Sequence, residues 1–402
     1  MISVAEAEEI VLSRVRSYGI EEVTLSAAIG RVLMEDIRAD RPLPPYDRVT
    51  MDGIAILYSS FDAGQRVYEI ADIQAAGMPQ KSLNDSSQCM EVMTGAILPA
   101  DADTVIRYED LTIHEGKVKI NIETVKYKQN VHRLGSDRVL GEILVPSARI
   151  ISGAEANICA TVGKATVKVA KLPQVMVIST GDELVPIVEQ PLPHQVRRSN
   201  VYALQTALQQ SGINCDTAHL NDDIEELHGA LSEYCASYDV LILSGGVSMG
   251  KYDYIPEILQ QLGVEQLFHK VRQRPGKPFW FGEKSDGPVV FALPGNPVSS
   301  FACLHRYVYP WLFRSIGMSR TELFAELGAP ISFTKDLTYF AQVRLSWDRG
   351  RLIATPVEGN GSGDLANLSD ADAFLEIPRG RDLYDPGEIF RIYPYRPLTL
   401  IS

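Results

Sequence analysis

Three short segments end an apolar run in glycine and polar residues: Ser179-Thr180-Gly181-Asp182-Glu183, Ser244-Gly245-Gly246, and Leu293-Pro294-Gly295-Asn296-Pro297. Glycine at such a handover allows unusual backbone geometry and close approach, so main-chain N–H groups can face an anion. One such turn is ordinarily no more than a tight turn. Three at the same edge of one sheet point to a phosphate-binding site, with Ser248 adding a hydroxyl. None fits Gly-x-x-x-x-Gly-Lys-Ser/Thr, and no Gly-x-Gly-x-x-Gly follows the first strand, which argues against a P-loop nucleotidase and a dinucleotide enzyme.

Carboxylates crowd the same segments: Asp182, Glu183, Asp222, Asp223 and Asp253. Alone they repel a phosphate, and a divalent cation between the two reconciles them. Hard oxygen ligands beside phosphate suggest Mg²⁺, with Asp253 as the metal or substrate contact. The plainer role is helix capping, open to Asp222 or Asp223 before the helical IEELHGAL. Positive charge comes from QRPGKPFWFG, where Arg274 and Lys277 flank a Pro-Gly turn. Two cations projected from one loop suit a tetrahedral oxyanion or a polyphosphate; the plainer reading is a solvated hairpin tip.

The elements that must carry these residues follow from the hydrophobic rhythm. From about residue 172, PQVMVIST, INCDTAHL, YDVLILSG and GPVVFALPGN read as strands. SNVYALQTALQQSG (opening on Ser199 or Asn200), IEELHGALSEYCAS, YIPEILQQLG and the long SSFACLHRYVYPWLF read as helices. Strand-helix alternation predicts right-handed crossovers and a mostly parallel sheet, whose ligands sit beyond the carboxyl ends of its strands. Before it, Ser3 and Glu6 have capping-box spacing, with Val4, Ala7, Val11 and Val15 along one helical face. Residues from about 42 to 141 read as a small β domain, with strands in VYEIADI, MEVMTG and TVIRYED and a hairpin turning at Glu115-Gly116. After Gly317, YFAQVRLSW, RLIATPV, AFLEIP and EIFRIYPY predict a β sandwich or barrel.

The chain as a whole narrows the function. Its 402 residues exceed one compact core, and 45% hydrophobic with 22% charged residues is an ordinary globular composition. A net charge of −13 makes nucleic acid and anionic membrane poor partners for the surface as a whole. Cys89, Cys159, Cys215, Cys235 and Cys303 are scattered singly, against a structural zinc site and for a reducing compartment. Glu6, Glu8 and Glu9 interrupt any signal-peptide core, and no apolar run reaches the ~20 residues of a membrane helix, so a cytoplasmic protein is expected.

The sequence resembles the molybdopterin molybdenumtransferases, the MoeA family that includes the C-terminal domain of gephyrin. Seven blocks carry the resemblance: PLPPYDRVTMDGIAI (43–57), MTGAILP (93–99), RLGSD (133–137), STGDEL (179–184), SGGVSMGKYDY (244–254), RPGKPFWFG (274–282) and LPGNPVSS (293–300). It implies an elongated N-terminal domain from 1–42 plus 142–171 and an inserted β-rich domain over 43–141. A central molybdopterin-binding α/β domain over 172–317 and a barrel-like C-terminal β domain over 318–402 complete the chain. The implied reaction joins adenylylated molybdopterin and molybdate, inserts the metal into the dithiolene and releases AMP with Mg²⁺. It also implies a homodimer whose active site is shared between subunits, and admits a molybdopterin adenylyltransferase and molybdoenzyme acceptors as further partners.

Carried over residue by residue, Ser244, Gly245, Gly246, Ser248, Pro294, Gly295 and Asn296 are expected to hold the pterin-phosphate-AMP moiety. Thr180, Gly181, Asp182, Glu183 and Asp222 line the same pocket, and Asp253 binds Mg²⁺. Arg274, Lys277 and Ser299 lie near molybdate, while Asp52, Thr94 and Asp137 complete the site from the neighbouring subunit. Without the resemblance, Asp52-Gly53 reads as a hairpin turn and Thr94-Gly95 as a strand end.

The chain also departs from the family. Arg48-Val49-Thr50 replaces the usual Asn-Ser-Ala, Ser136 replaces a carboxylate, and Arg274 replaces a lysine. Leu337-Thr338-Tyr339-Phe340 lacks an expected arginine, and the GNGSGDL loop keeps Ser362 but adds Asp364. A molybdopterin adenylyltransferase, a CinA-like nucleotide hydrolase and a non-catalytic molybdopterin-binding scaffold are the rival readings.

Overall fold

The computed structural model describes residues 1–247, 254–318, 321–359 and 363–398. The chain forms two compact units: Met1–Glu22 with Gly30–Val32 and Lys168–Ser402, and Val23–Ile29 with Leu33–Val167.

The first unit is organised by a six-stranded sheet. Its strand order is Cys215–Leu220, Val175–Thr180, Val240–Ser244, Val289–Leu293, Trp280–Glu283, Glu265–His269. The first four strands are parallel, as the alternation predicts, and the last two join by antiparallel pairing. The three inner parallel strands are fully buried and apolar up to their last residues because both faces are covered, whereas the edge strand Cys215–Leu220 carries Asp216, Thr217 and His219. Val175, Val177, Val240, Ile242, Val289 and Phe291 pack on one side with Leu204 and Leu208 of the helix Asn200–Gln210 and with Val4, Ala7 and Val11. Met176, Ile178, Leu241, Leu243 and Val290 pack on the other with Leu227, Leu231 and Ile258. The helix Val4–Leu12 starts at the predicted capping box, and Asp223, not Asp222, caps Ile224–Ser237 by accepting from the Glu225 and Glu226 amides.

The long helix read from SSFACLHRYVYPWLF is not uniformly α. Pro297–Cys303 and Tyr309–Ser315 are α-helical, and Leu304–Val308 between them is a π turn. Pro310 has no N–H to give to the Arg306 carbonyl and its ring crowds that group. Widening the preceding turn relieves the conflict. Arg306, on this turn, is 2% exposed and pairs with Glu8 of the first helix and Glu376 of the last domain. Arg391 also reaches Glu8.

Residues after Gly317 form a barrel. Thr338–Asp348, Arg351–Pro356, Leu323–Leu327, Ile389–Pro394 and Ala373–Ile377 pair in that order, and the last pairs back to the first. A sixth strand, Gln273–Arg274, belongs to the central layer by sequence. It joins the barrel in parallel, with Gln273 opposite Thr338 and Arg274 opposite Tyr339.

The second unit holds its own six-stranded sheet: Thr104–Arg107, Gly53–Ile56, Gln88–Val92, Val67–Gln74, Lys117–Ile120, Leu111–His114. The predicted hairpin turns at Glu115 and Gly116, both at positive φ, as a two-residue turn of right-handed strands requires. Arg48–Val49 pairs with Val131–His132 beside this sheet. Among the described residues no helix is long and apolar enough to cross a membrane.

Candidate active site

The three glycine turns converge. At the carboxyl ends of the parallel strands lies a cavity of about 620 Å³ lined by Thr180, Gly181, Glu183, Asp222, Ser244, Gly245, Gly246, Pro294, Gly295 and Asn296. That volume suits a cofactor-sized ligand. Ser248, Asp253 and Ser362 lie outside the described residues.

Gly181 and Gly245 serve the cavity by lacking a side chain. The Gly245 N–H is donated to Leu293 O and the Gly181 N–H to Leu220 O, so neither faces an anion as the sequence reading expects. Gly245 has φ +110°, and a Cβ there falls 2.8 Å from both Thr180 O and Thr180 Oγ1. Gly295 differs: its φ is ordinary, and a Cβ meets only Gly245 Cα, at 3.7 Å. Thr180 is 4% exposed, and its buried Oγ1 has no hydrogen-bond partner among the described residues. A buried hydroxyl without a partner is costly in the free protein, so a ligand atom is the natural complement.

Asn200 ties two of the turns together, its Nδ2 donating to Ser244 Oγ at 2.9 Å and to Gly295 O at 2.7 Å. Sequence reading saw Asn200 only as a helix start. Arg197, Arg198 and Ser199 also line the cavity. The paired arginines before a helix were the available signal, and they supply cations the glycine motifs do not contain. On the acidic side, Asp182 Oδ1 accepts the Asp222 N–H at 2.9 Å, and the Glu183 carboxylate folds over Gly181. Half-buried His219 bonds Ser179; burial, followed by the nearby Arg198 charge, lowers its pKa and favours the neutral ring.

The loop after Gln273 separates two environments. Pro278 lines the large cavity, whereas Arg274 and Pro275 line a second one of about 390 Å³ with Val298, Phe333, Tyr339 and Gln342. Arg274 and Lys277 therefore do not act as one cationic hook: Lys277 is exposed and Arg274 turns towards the barrel because its strand pairs there. Tyr339 stacks on Phe333 at 4.5 Å, and burial raises its phenol pKa against the opposing influence of Arg274. Ser299 is buried and lines neither cavity. Gln273, 1% exposed, fixes the loop by donating to Pro275 O while accepting from Tyr307.

The remaining candidates lie in the second unit. Asp52 Oδ1 accepts the Thr94 N–H at 2.6 Å and its hydroxyl at 2.8 Å. These two bonds, the backbone one first, lower the Asp52 carboxyl pKa and keep it ionised. Gly53 is required by crowding, since a Cβ falls 1.9 Å from Ile106 O. Asp137 Oδ1 lies 2.7 Å from His132 Nε2, a partner the sequence reading did not identify.

Comparison with known proteins places this geometry. Residues 2–163 match the MoeA N-terminal region (domain I and II), 176–314 a probable molybdopterin binding domain, and 325–395 the MoeA C-terminal region (domain IV). The chain is 42% identical to the molybdopterin molybdenumtransferase of Synechocystis sp., over 98% of this chain and 100% of that one. It is 30% identical to that of Bacillus subtilis, over 92% and 89%. A crystal structure of a molybdopterin biosynthesis MoeA protein from Pyrococcus horikosii matches with a TM-score of 0.85 at 30% identity, covering 99% of this chain and 100% of that one. Three regions matched in order and a relative aligned end to end lead to one conclusion: the chain belongs to the molybdopterin molybdenumtransferase (MoeA) family.

Proposed function

We propose that this chain inserts molybdate into adenylylated molybdopterin and releases AMP, as a transferase of molybdenum cofactor biosynthesis. The observation that carries the reading is the convergence of three strand-end turns on one cavity around the buried Thr180 hydroxyl. The cavity receives the pterin-phosphate-AMP moiety, with Arg197, Arg198 and Asn200 meeting its anionic and polar parts. Molybdate approaches from the side of Arg274, whose charge offsets the repulsion between two anions. Glu183 and Asp222 offer hard oxygen donors of the kind Mg²⁺ takes, and with Asp253 they would hold it. A bound Mg²⁺ would neutralise phosphoanhydride charge. The described residues alone contain no cluster of three such ligands.

Asp52, Thr94 and Asp137 complete the site from the other subunit of a homodimer in this reading. Full-length similarity to three-region relatives favours it over an adenylyltransferase or a CinA-like hydrolase. The test is AMP release from adenylylated molybdopterin with and without molybdate. Molybdate-dependent release is expected. Release indifferent to the oxyanion refutes the proposal, ATP turnover with free molybdopterin supports the adenylyltransferase, and tight binding without turnover supports a scaffold.

A further inference from the structure

Arg48 and His132 stand directly opposite one another across the antiparallel pair Arg48–Val49 and Val131–His132. Arg48 Nη2 lies 3.0 Å from His132 Nδ1, and His132 Nε2 lies 2.7 Å from Asp137 Oδ1. A guanidinium can only donate. Nδ1 must therefore offer its lone pair, and the single ring hydrogen must sit on Nε2, where it is donated to the carboxylate. The order of donors runs one way only, from Arg48 through His132 to Asp137.

The loop carrying Asp137 is anchored around this line. The Leu134 N–H donates to Asp47 Oδ1 at 2.7 Å, the Gly135 N–H to Pro44 O at 2.9 Å, and the Asp137 N–H to Leu43 O at 2.9 Å. Backbone bonds thus fix the Asp137 main chain, and His132 fixes its side chain. With Oδ1 held by the imidazole and approached by Ser136 Oγ at 3.5 Å, Oδ2 is the oxygen left to meet a substrate.

We infer that Arg48 and His132 are positioning residues for the reaction: Arg48 selects the Nε2–H tautomer of His132, which orients the Asp137 carboxylate. The inference rests on the proposed reading in which Asp137 faces substrate. His132 touches no reacting atom and acts through Asp137 alone.

The experiment has a spectroscopic and a kinetic arm on the full chain. Histidine nitrogen-15 spectra resolve the tautomers, and the His132 signals among the seven histidines are assigned by their loss in H132Q. At neutral pH the wild type is expected to carry its hydrogen on Nε2 with Nδ1 unprotonated. In R48M the ring loses that restriction, and the Nδ1–H tautomer gains population. A wild-type ring protonated on Nδ1, or a spectrum unchanged in R48M, overturns the inference.

In the kinetic arm, loss of a hydrogen bond to a charged group predicts that H132L lowers kcat for AMP release roughly 10- to 100-fold, with KM for molybdate little changed. H132Q, whose amide can replace the Nε2–H donor, recovers most of the loss. A merely structural histidine predicts no such rescue and no kcat-only effect. Impaired D137N beside unimpaired H132L overturns the relay while sparing the wider reading. Unimpaired D137N removes Asp137 from the site, and the inference falls with it.

Discussion

Replacing Gly245 by alanine tests whether the cavity depends on the absence of a side chain there. The backbone sits at φ +110°, a conformation costing a non-glycine residue about 1–3 kcal/mol. The new methyl also falls 2.8 Å from Thr180 O, part of the neighbouring strand, and relief of that overlap costs about 1–3 kcal/mol more. G245A is thus expected to lose roughly 2–6 kcal/mol of stability as a combined figure. G295A is the matched control. Its φ is ordinary and its Cβ makes one 3.7 Å contact, so its stability should change by no more than about 0.5 kcal/mol. Its methyl nevertheless enters the cavity and should weaken AMP binding roughly tenfold. Urea denaturation followed by the fluorescence of fully buried Trp280 and Trp311 reads stability, and titration calorimetry with AMP reads binding. A G245A midpoint no lower than that of G295A, or G295A binding AMP like the wild type, refutes the reasoning.

Other perturbations have equally definite signs. T180V removes a buried hydroxyl that has no partner among the described residues, so the free protein should be unchanged or stabilised by up to about 1 kcal/mol while AMP affinity falls. A loss of stability in urea would count against that assignment. R306M leaves Glu8 and Glu376 without their buried cation and should cost about 3–5 kcal/mol at neutral pH. Burial by itself raises the Glu8 pKa, but Arg306 and Arg391 outweigh it and the net shift is downward. The share of this stabilisation that Glu8 carries is therefore full above the ordinary value of 4.5 and is lost as pH falls through the depressed folded value, so denaturation at several pH values should find the gap between wild type and R306M narrowing in acid. T94V removes one of two donors to Asp52, and carboxyl carbon NMR should find the Asp52 pKa moved part of the way back to 3.8, because the larger backbone contribution remains.

Much of the central layer was legible because its signals are local. Uninterrupted apolar runs such as Val240–Leu243 mark strands covered on both faces, and the following glycines mark where the chain leaves the sheet. Capping at Ser3 and the Glu115-Gly116 turn are local too. What escaped sequence reading depends on contacts between distant segments. Asn200 bridges Ser244 and Gly295 only because parallel strands bring those turns side by side. Gly245 spends its amide on Leu293 for the same reason. Arg274 and Lys277, three positions apart, part company because one is drawn into barrel pairing with Tyr339. The π turn arises from Pro310 acting on a carbonyl one turn back, which an apolar period does not reveal.

The strand Gln273–Arg274 makes the last domain hard to treat as a detachable module. Main-chain bonds stitch it to Thr338–Asp348, while its own chain continues through Pro278 into the wall of the larger cavity. A protein cut near Gly317 would leave this two-residue strand without its neighbour and Arg274 without its seat. A barrel exchanged between relatives must likewise match the grafted edge. Tilting of the barrel would carry Arg274 with it while Pro278 stayed with the central layer. The seam thus ties the spacing between the two cavities to the way the barrel's edge is seated.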